Sequence, residues 1–249
     1  MDVKKTYGWK RDLPDQRDFV FKITRTASLP ASVDLRSGCS AVEDQGNLGS
    51  CTSQATVGAL EYLGIKDGVT FQDLSRLYVY YNTRVIENCV RYDDGASIRN
   101  TIKALAKQGA CKETIWPYVI KQFKIKPGTD CYTDGAKRII IEYSRLLTLN
   151  DMKHALADGF PFVCGISLYT SFESAKVEKM GIVNMPGARE SMIGGHAIMV
   201  VGYDDKTSRF IVRNSWGTDW GQKGYFTIPY TYITSLGDDF WVIRTGKGL

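Results

Sequence analysis

Four residue types that together can open an amide bond occur along this chain in the order glutamine, cysteine, histidine, asparagine. They sit in Gln45-Gly46-Asn47-Leu48-Gly49-Ser50-Cys51, in Gly194-Gly195-His196-Ala197 and in Asn214-Ser215-Trp216-Gly217. A thiol of pKa near ~8.5 is mostly protonated at neutral pH, so a cysteine nucleophile needs help to become thiolate. Cys51 precedes a stretch in which Ala55, Ala59, Leu60 and Leu63 recur at helical spacing. That places the thiol in a first helical turn, where unpaired N–H groups and the positive dipole end favour an anion. His196 as imidazolium can pair with the thiolate and later protonate a leaving amine. Asn214 can accept the other ring N–H and fix the orientation of the imidazole. Trp216 is positioned to shield that hydrogen bond from water.

Taken singly, each motif has an ordinary reading. A cysteine before an apolar helix is most often a buried small hydrophobe. An isolated histidine is most often structural, and Asn-Ser-Trp-Gly can simply close a hairpin. The order of all three motifs carries the reading. In it the chain resembles the papain family from about Leu29 to its end, and the separation of Cys51 from His196 is of the size such enzymes show. The resemblance implies an α+β fold of two lobes, helical at about 35–135 and β-barrel-like at about 136–249, with the cleft between them. It implies that Gln45 gives a side-chain N–H to the oxyanion beside the Cys51 backbone N–H. It also puts Gly95, Gly165, Gly194, Gly195 and Trp216 in the substrate cleft, the second specificity pocket being open to bulky apolar or aromatic side chains, with Arg244 at its far end.

Several positions depart from the family pattern. Leu48 stands where secreted relatives carry a cysteine, Thr52 replaces an aromatic residue, and Gly195 stands where papain has an aspartate. Asp94-Gly95 keeps only the second glycine of a pair that lets substrate backbone approach. Asp239 falls about where a second-lobe bridge would have its cysteine. With two bridges absent, a reducing compartment is expected. The resemblance leaves a Cys89–Cys131 bridge open.

Residues 1–28 differ from the rest. Tyr7 to Phe21 has turn signals and aromatics without a sustained period. The segment is too short for the long helical propeptide of the family, and resembles the leader of some bacterial and viral members. It is either a strap over the cleft that keeps the enzyme latent or an arm packed elsewhere. The peptidase domain is then 29–249. Helices are expected from Cys51 to about Leu105, with Ser97 as a cap and Gly109 as a stop, and a further helix from Asn150, as its cap, to Asp158. Strands are expected at 139–141, 162–166, 197–201, 210–212 and 225–228.

The 249 residues suit one large domain or two packed lobes. A net charge of +5, from 32 basic and 27 acidic residues, is spread along the chain; its basic stretches, Lys4 to Arg11 and Lys121 to Lys126, read as solvated surface rather than a nucleic-acid site. No run of eighteen apolar residues exists, no signal-peptide core is seen, and no Cys/His cluster has zinc spacing. The expectation is a monomeric cysteine endopeptidase acting on peptides or proteins, with no cofactor, metal, nucleic acid or membrane partner, cytoplasmic or intracellular and possible in a virion. Rival readings are a silent homologue that binds peptide or a partner, and another Cys-His-Asn acyl transfer, such as amide transfer or removal of a ubiquitin-like tag. The insert at Met185 to Ser191, with Arg189 and Glu190, is a thin candidate for an exopeptidase's occluding element.

Overall fold

The computed structural model describes residues 6–23 and 28–248. In chain order its elements are β1 (Trp9–Lys10), β2 (Ser32–Asp34), α1 (Cys51–Lys66), α2 (Arg76–Ile86), β3 (Ala96–Ser97), α3 (Ile98–Gln108), α4 (Thr129–Gly135), β4 (Ile139–Arg145), α5 (Leu149–Ala157), β5 (Phe162–Tyr169), α6 (Ala175–Met180), β6 (Met192–Asp204), β7 (Arg209–Arg213), β8 (Tyr225–Pro229), α7 (Tyr230–Leu236) and β9 (Gly237–Lys247). Helices dominate the first half and an antiparallel sheet the second, an α+β architecture.

α1 is the axis of the molecule. Fourteen of its sixteen residues are buried, so it packs all round rather than along one stripe. Small residues permit this: at Gly58 a side chain would meet Met199 of β6 and the Arg213 guanidinium. One core joins Val57, Leu60 and Leu63 of α1 to Ile98 and Ile102 of α3 and to Val163, Met199 and Trp241 of the sheet. A second core fills the other sheet face with Phe162, Ile166, Phe172, Phe210 and Phe226. Glu61, fully buried in α1, meets Arg76 at 2.7 Å and also accepts from Leu74 N and Ser40 Oγ. Those donors satisfy a charge that would otherwise be costly to bury.

The sheet runs β4-β9-β5-β6-β7-β8, with β2 added to β6. It is not a closed barrel, because β4 and β8 remain edges. Val20 bridges Arg145 on one edge and Ile182 bridges Thr227 on the other, which keeps both edges short. β9 pairs with both β4 and β5 and was not among the expected strands. Its opening Gly237-Asp238-Asp239 masks the apolar run that follows.

Ser97 does cap α3, and Gly109 ends it at φ 69°. The α5 cap is Thr148 rather than Asn150, because Thr148 and Asp151 form a reciprocal capping box. All six cysteines are free thiols. Cys131 and Cys111 share the core around α1, and Leu48 is buried beside Leu77 and Tyr80 in place of a bridge.

Candidate active site

Cys51 is the first residue of α1, and its thiol accepts a hydrogen bond from the Ala197 backbone N–H at 3.4 Å. Ser50 does not cap the helix with its side chain; its hydroxyl pairs instead with Tyr118 at 2.5 Å. The N–H groups of Cys51 and Thr52 are therefore left to act on the thiol. His196 precedes Ala197 on β6, so the pairing of β6 with α1 brings imidazole and thiol together although they are far apart in sequence.

Asn214 follows β7. Its Oδ1 lies 2.8 Å from His196 Nε2 and also accepts the Ser215 backbone N–H at 2.9 Å. That second donor fixes which end of the amide is oxygen. Since an amide oxygen only accepts, Nε2 carries the ring proton and Nδ1 is the nitrogen left for the thiol side. Trp216 covers the imidazole with ring centroids 5.0 Å apart. Phe172 and Trp220 buttress it at 5.5 and 5.2 Å.

Gln45 is fully buried and held from both ends. Its Oε1 accepts from Ser215 Oγ at 2.6 Å, while Nε2 donates to the carbonyls of Leu48, at 3.0 Å, and Thr6, at 3.2 Å. Asp93 positions the Gly49 turn by accepting its N–H, and Tyr80 donates to the same carboxylate. All four residues expected to be catalytic thus meet at one place, and a further chain segment meets them there.

That segment is residues 6–23. The Gly8 carbonyl accepts from Ala96 N at 2.7 Å, and Trp9–Lys10 pairs with Ala96–Ser97 as a short parallel ladder. Gly95 has φ +73°, and a Cβ there would overlap the Gly8 carbonyl. Cβ atoms on Gly165 and Gly195 would run into the Trp9 indole, and one on Gly194 into the Tyr7 ring. Tyr7 also reaches Trp216, at 6.3 Å between centroids, and donates to Glu173. All five residues expected to line the cleft lie against this strap. Cys51 and His196 have no exposed surface. Burial pushes the Cys51 thiol up to about 11, against the lowering effect of the N–H groups of Ala197, Gly8, Thr52 and Cys51 itself.

Beyond Trp9 the strap is anchored by charge. Asp12 accepts from Arg99 N and from Trp241 Nε1. Asp18 meets Arg99 at 2.5 Å and Arg145 at 3.2 Å. Asp239, fully buried, accepts from Trp9 Nε1, Asp12 N and Arg145. No short motif announces these contacts, because each joins the strap to residues distant in sequence. Arg244 is not at the pocket filled by Trp9: it lies over the Phe21 and Phe160 rings, 3.7 Å from Glu142. Glu190 of the insert is used locally, accepting from the Gly187 and Ser171 N–H groups.

A thiol at a helix start, an imidazole on a neighbouring strand and an amide behind it, between helices and an antiparallel sheet, define a cysteine peptidase site. The profile of papain family cysteine proteases matches residues 29–236, and the chain belongs to that family. It is similar to xylellain, a cysteine protease from Xylella fastidiosa, at 40% identity over 97% of each chain with a TM-score of 0.91. An uncharacterized peptidase C1-like protein of Acanthamoeba polyphaga mimivirus is 38% identical over 97% of this chain and 88% of its own. Chymopapain of Carica papaya is 28% identical over 90% of this chain, which spans 61% of that protein. The protein is a papain-like cysteine peptidase, so peptides or proteins are its substrates.

Proposed function

We propose that the chain is a latent cysteine endopeptidase, with residues 29–249 as the peptidase domain and 1–28 as an inhibitory leader. The observation that carries this is the Thr6 carbonyl within hydrogen-bond reach of Gln45 Nε2 while Gly8 lies against Gly49 with its N–H acting on the Cys51 thiol. The leader occupies with its own backbone the groups a substrate needs. It also strips water from the thiol, which favours the neutral, unreactive form.

When the leader leaves, the Cys51 thiolate forms beside the His196 imidazolium and attacks the substrate carbonyl. The carbonyl electrons move to oxygen, where Gln45 Nε2 and the Cys51 N–H donate to the oxyanion. Collapse to a thioester expels the amine, protonated by His196. His196 then takes a proton from water, which hydrolyses the thioester and returns the thiol. Asn214 holds the ring for both transfers, and Trp216 keeps water from that hydrogen bond.

The test is hydrolysis of an internally quenched peptide mixture by the full-length chain and by a chain beginning at Leu29, with Cys51→Ala as background. Cleavage at internal bonds by the shortened chain alone is expected. Products only one or two residues long would contradict endopeptidase action. Incorporation of an added amine faster than hydrolysis would favour another acyl transfer.

A further inference from the structure

The leader marks a side-chain pocket next to the reacting thiol. Gly8 lies against Gly49, two residues before Cys51, with its N–H acting on the thiol, and the adjoining residue, Trp9, points its indole into a slot whose wall is Gly165 and Gly195. Two glycines leave a flat surface that a planar ring covers without a clash. At the end of the slot the indole Nε1 donates to Asp239 Oδ2 at 3.1 Å. Asp239 is fully buried, and the same oxygen accepts from Asp12 N at 2.8 Å. Both of those donors belong to the leader.

We infer that Asp239 is a specificity-determining residue: the slot selects a large aromatic side chain carrying a hydrogen-bond donor, tryptophan above all, at the substrate position adjoining the scissile residue. This rests on the peptidase reading above. Once the leader is displaced, Asp239 Oδ2 loses its Trp9 and Asp12 donors, and a substrate side chain that fills the slot must replace one of them or leave a carboxylate oxygen poorly paired. Charge decides between a neutral donor and a cationic one. Asp239 Oδ1 is already held by Arg145 at 2.7 Å, and Arg145 also reaches Asp238 at 3.4 Å. Asp12 and Asp18, the other carboxylates on Arg145, leave with the leader. A lysine or arginine in the slot would then set a second cation beside Arg145, whereas an indole N–H or phenol O–H adds a donor without charge.

Sites that hydrogen-bond a substrate N–H discriminate strongly against an isostere lacking it, and access of water to an open slot moderates the effect. The full-length chain carrying Gly8→Val and Trp9→Ala clears both the cleft and the slot. With acetyl-X-Gly-aminomethylcoumarin substrates, kcat/KM for X = tryptophan should exceed that for benzothienylalanine, tryptophan's shape without the N–H, by roughly ten- to a hundredfold. Asp239→Asn should bring the two to parity, because Arg145 draws the amide oxygen and turns the NH2 into the slot. Asp239 has φ 56°, a conformation asparagine also tolerates, and circular dichroism checks that the variant is folded. Equal rates for the two residues with Asp239 intact, or lysine faster than tryptophan, overturns the inference whether or not the variant folds. If no peptide is hydrolysed, the peptidase reading fails by itself, and calorimetric binding of the same peptides to the Cys51→Ala form decides the slot: tighter binding of tryptophan supports it, and equal or no binding overturns it.

Discussion

A Cβ on Gly8 would overlap the carbonyl oxygen of Gly49, the residue two before Cys51. The leader and the nucleophile turn pass so closely that only glycine fits between them. The obstacle is main chain, which cannot swing aside as a long side chain would.

Gly8→Val should therefore expel the leader. Overpacking of this kind costs about 1–3 kcal/mol, which corresponds to roughly a five- to 150-fold rise in the open fraction. The rate at which iodoacetamide alkylates Cys51 should rise by that factor, while the thermal midpoint of the rest of the chain stays within a few degrees. An unchanged rate would place the block elsewhere than at Gly8.

Leader docking should also depend on pH through Asp12. Burial first, and then the Asp239 carboxylate, push Asp12 from 3.8 up to about 6, against the hydrogen bond from Trp241 and the N–H and charge of Arg99; Arg145 lies 3.8 Å away. A carboxyl raised in the docked state favours docking fully below its free value and loses that contribution as pH rises through about 6. Docking by this group is thus tighter at pH 4 than at pH 7. The ratio of wild-type to Asp12→Asn alkylation rates cancels the thiol's own titration and should rise between those values. A flat ratio would remove Asp12 from the latch.

Gln45→Ala, in the Gly8→Val background, should lower kcat by about 10²–10³ with little change in KM, as expected for loss of one oxyanion donor. Asn214→Ala should lower kcat and shift the acidic limb of the pH–rate profile, since the imidazolium loses its acceptor. A KM effect alone in Gln45→Ala would make that residue a ground-state contact.

Arg76→Met tests the support of α1. It leaves the fully buried Glu61 carboxylate without its guanidinium, a loss of about 3–5 kcal/mol. Urea denaturation should show a lower midpoint with unchanged slope. Equal stability would mean that Ser40 Oγ and Leu74 N satisfy Glu61 unaided.

The site was legible in the sequence because its chemistry is written in short runs. Gln45 and Cys51 share one turn, and His196 and Asn214 each stand in a distinctive tetrapeptide. Gly95, Gly165, Gly194 and Gly195 are legible by resemblance, yet their physical reason, close approach by Gly8, Trp9 and Tyr7, lies in the fold and not in any local pattern. The Trp9–Asp239 contact joins residues near opposite ends of the chain and obeys no period, so no local pattern could announce it. Thr148 was legible in principle, since Thr148-x-x-Asp151 is a capping-box spacing, but Asn150 competed for the same helix start. β9 was lost because it begins with glycine and two aspartates.

The most direct test of a Cys51 nucleophile held latent by the leader is labelling of Cys51 by an epoxysuccinyl thiol probe, in the full-length chain and in one beginning at Leu29, with Cys51→Ala setting the background. Rapid labelling of the shortened chain and little of the full-length chain is the expected result. Equal labelling of the two would contradict the leader's role, and no labelling of either folded form would contradict a reactive Cys51.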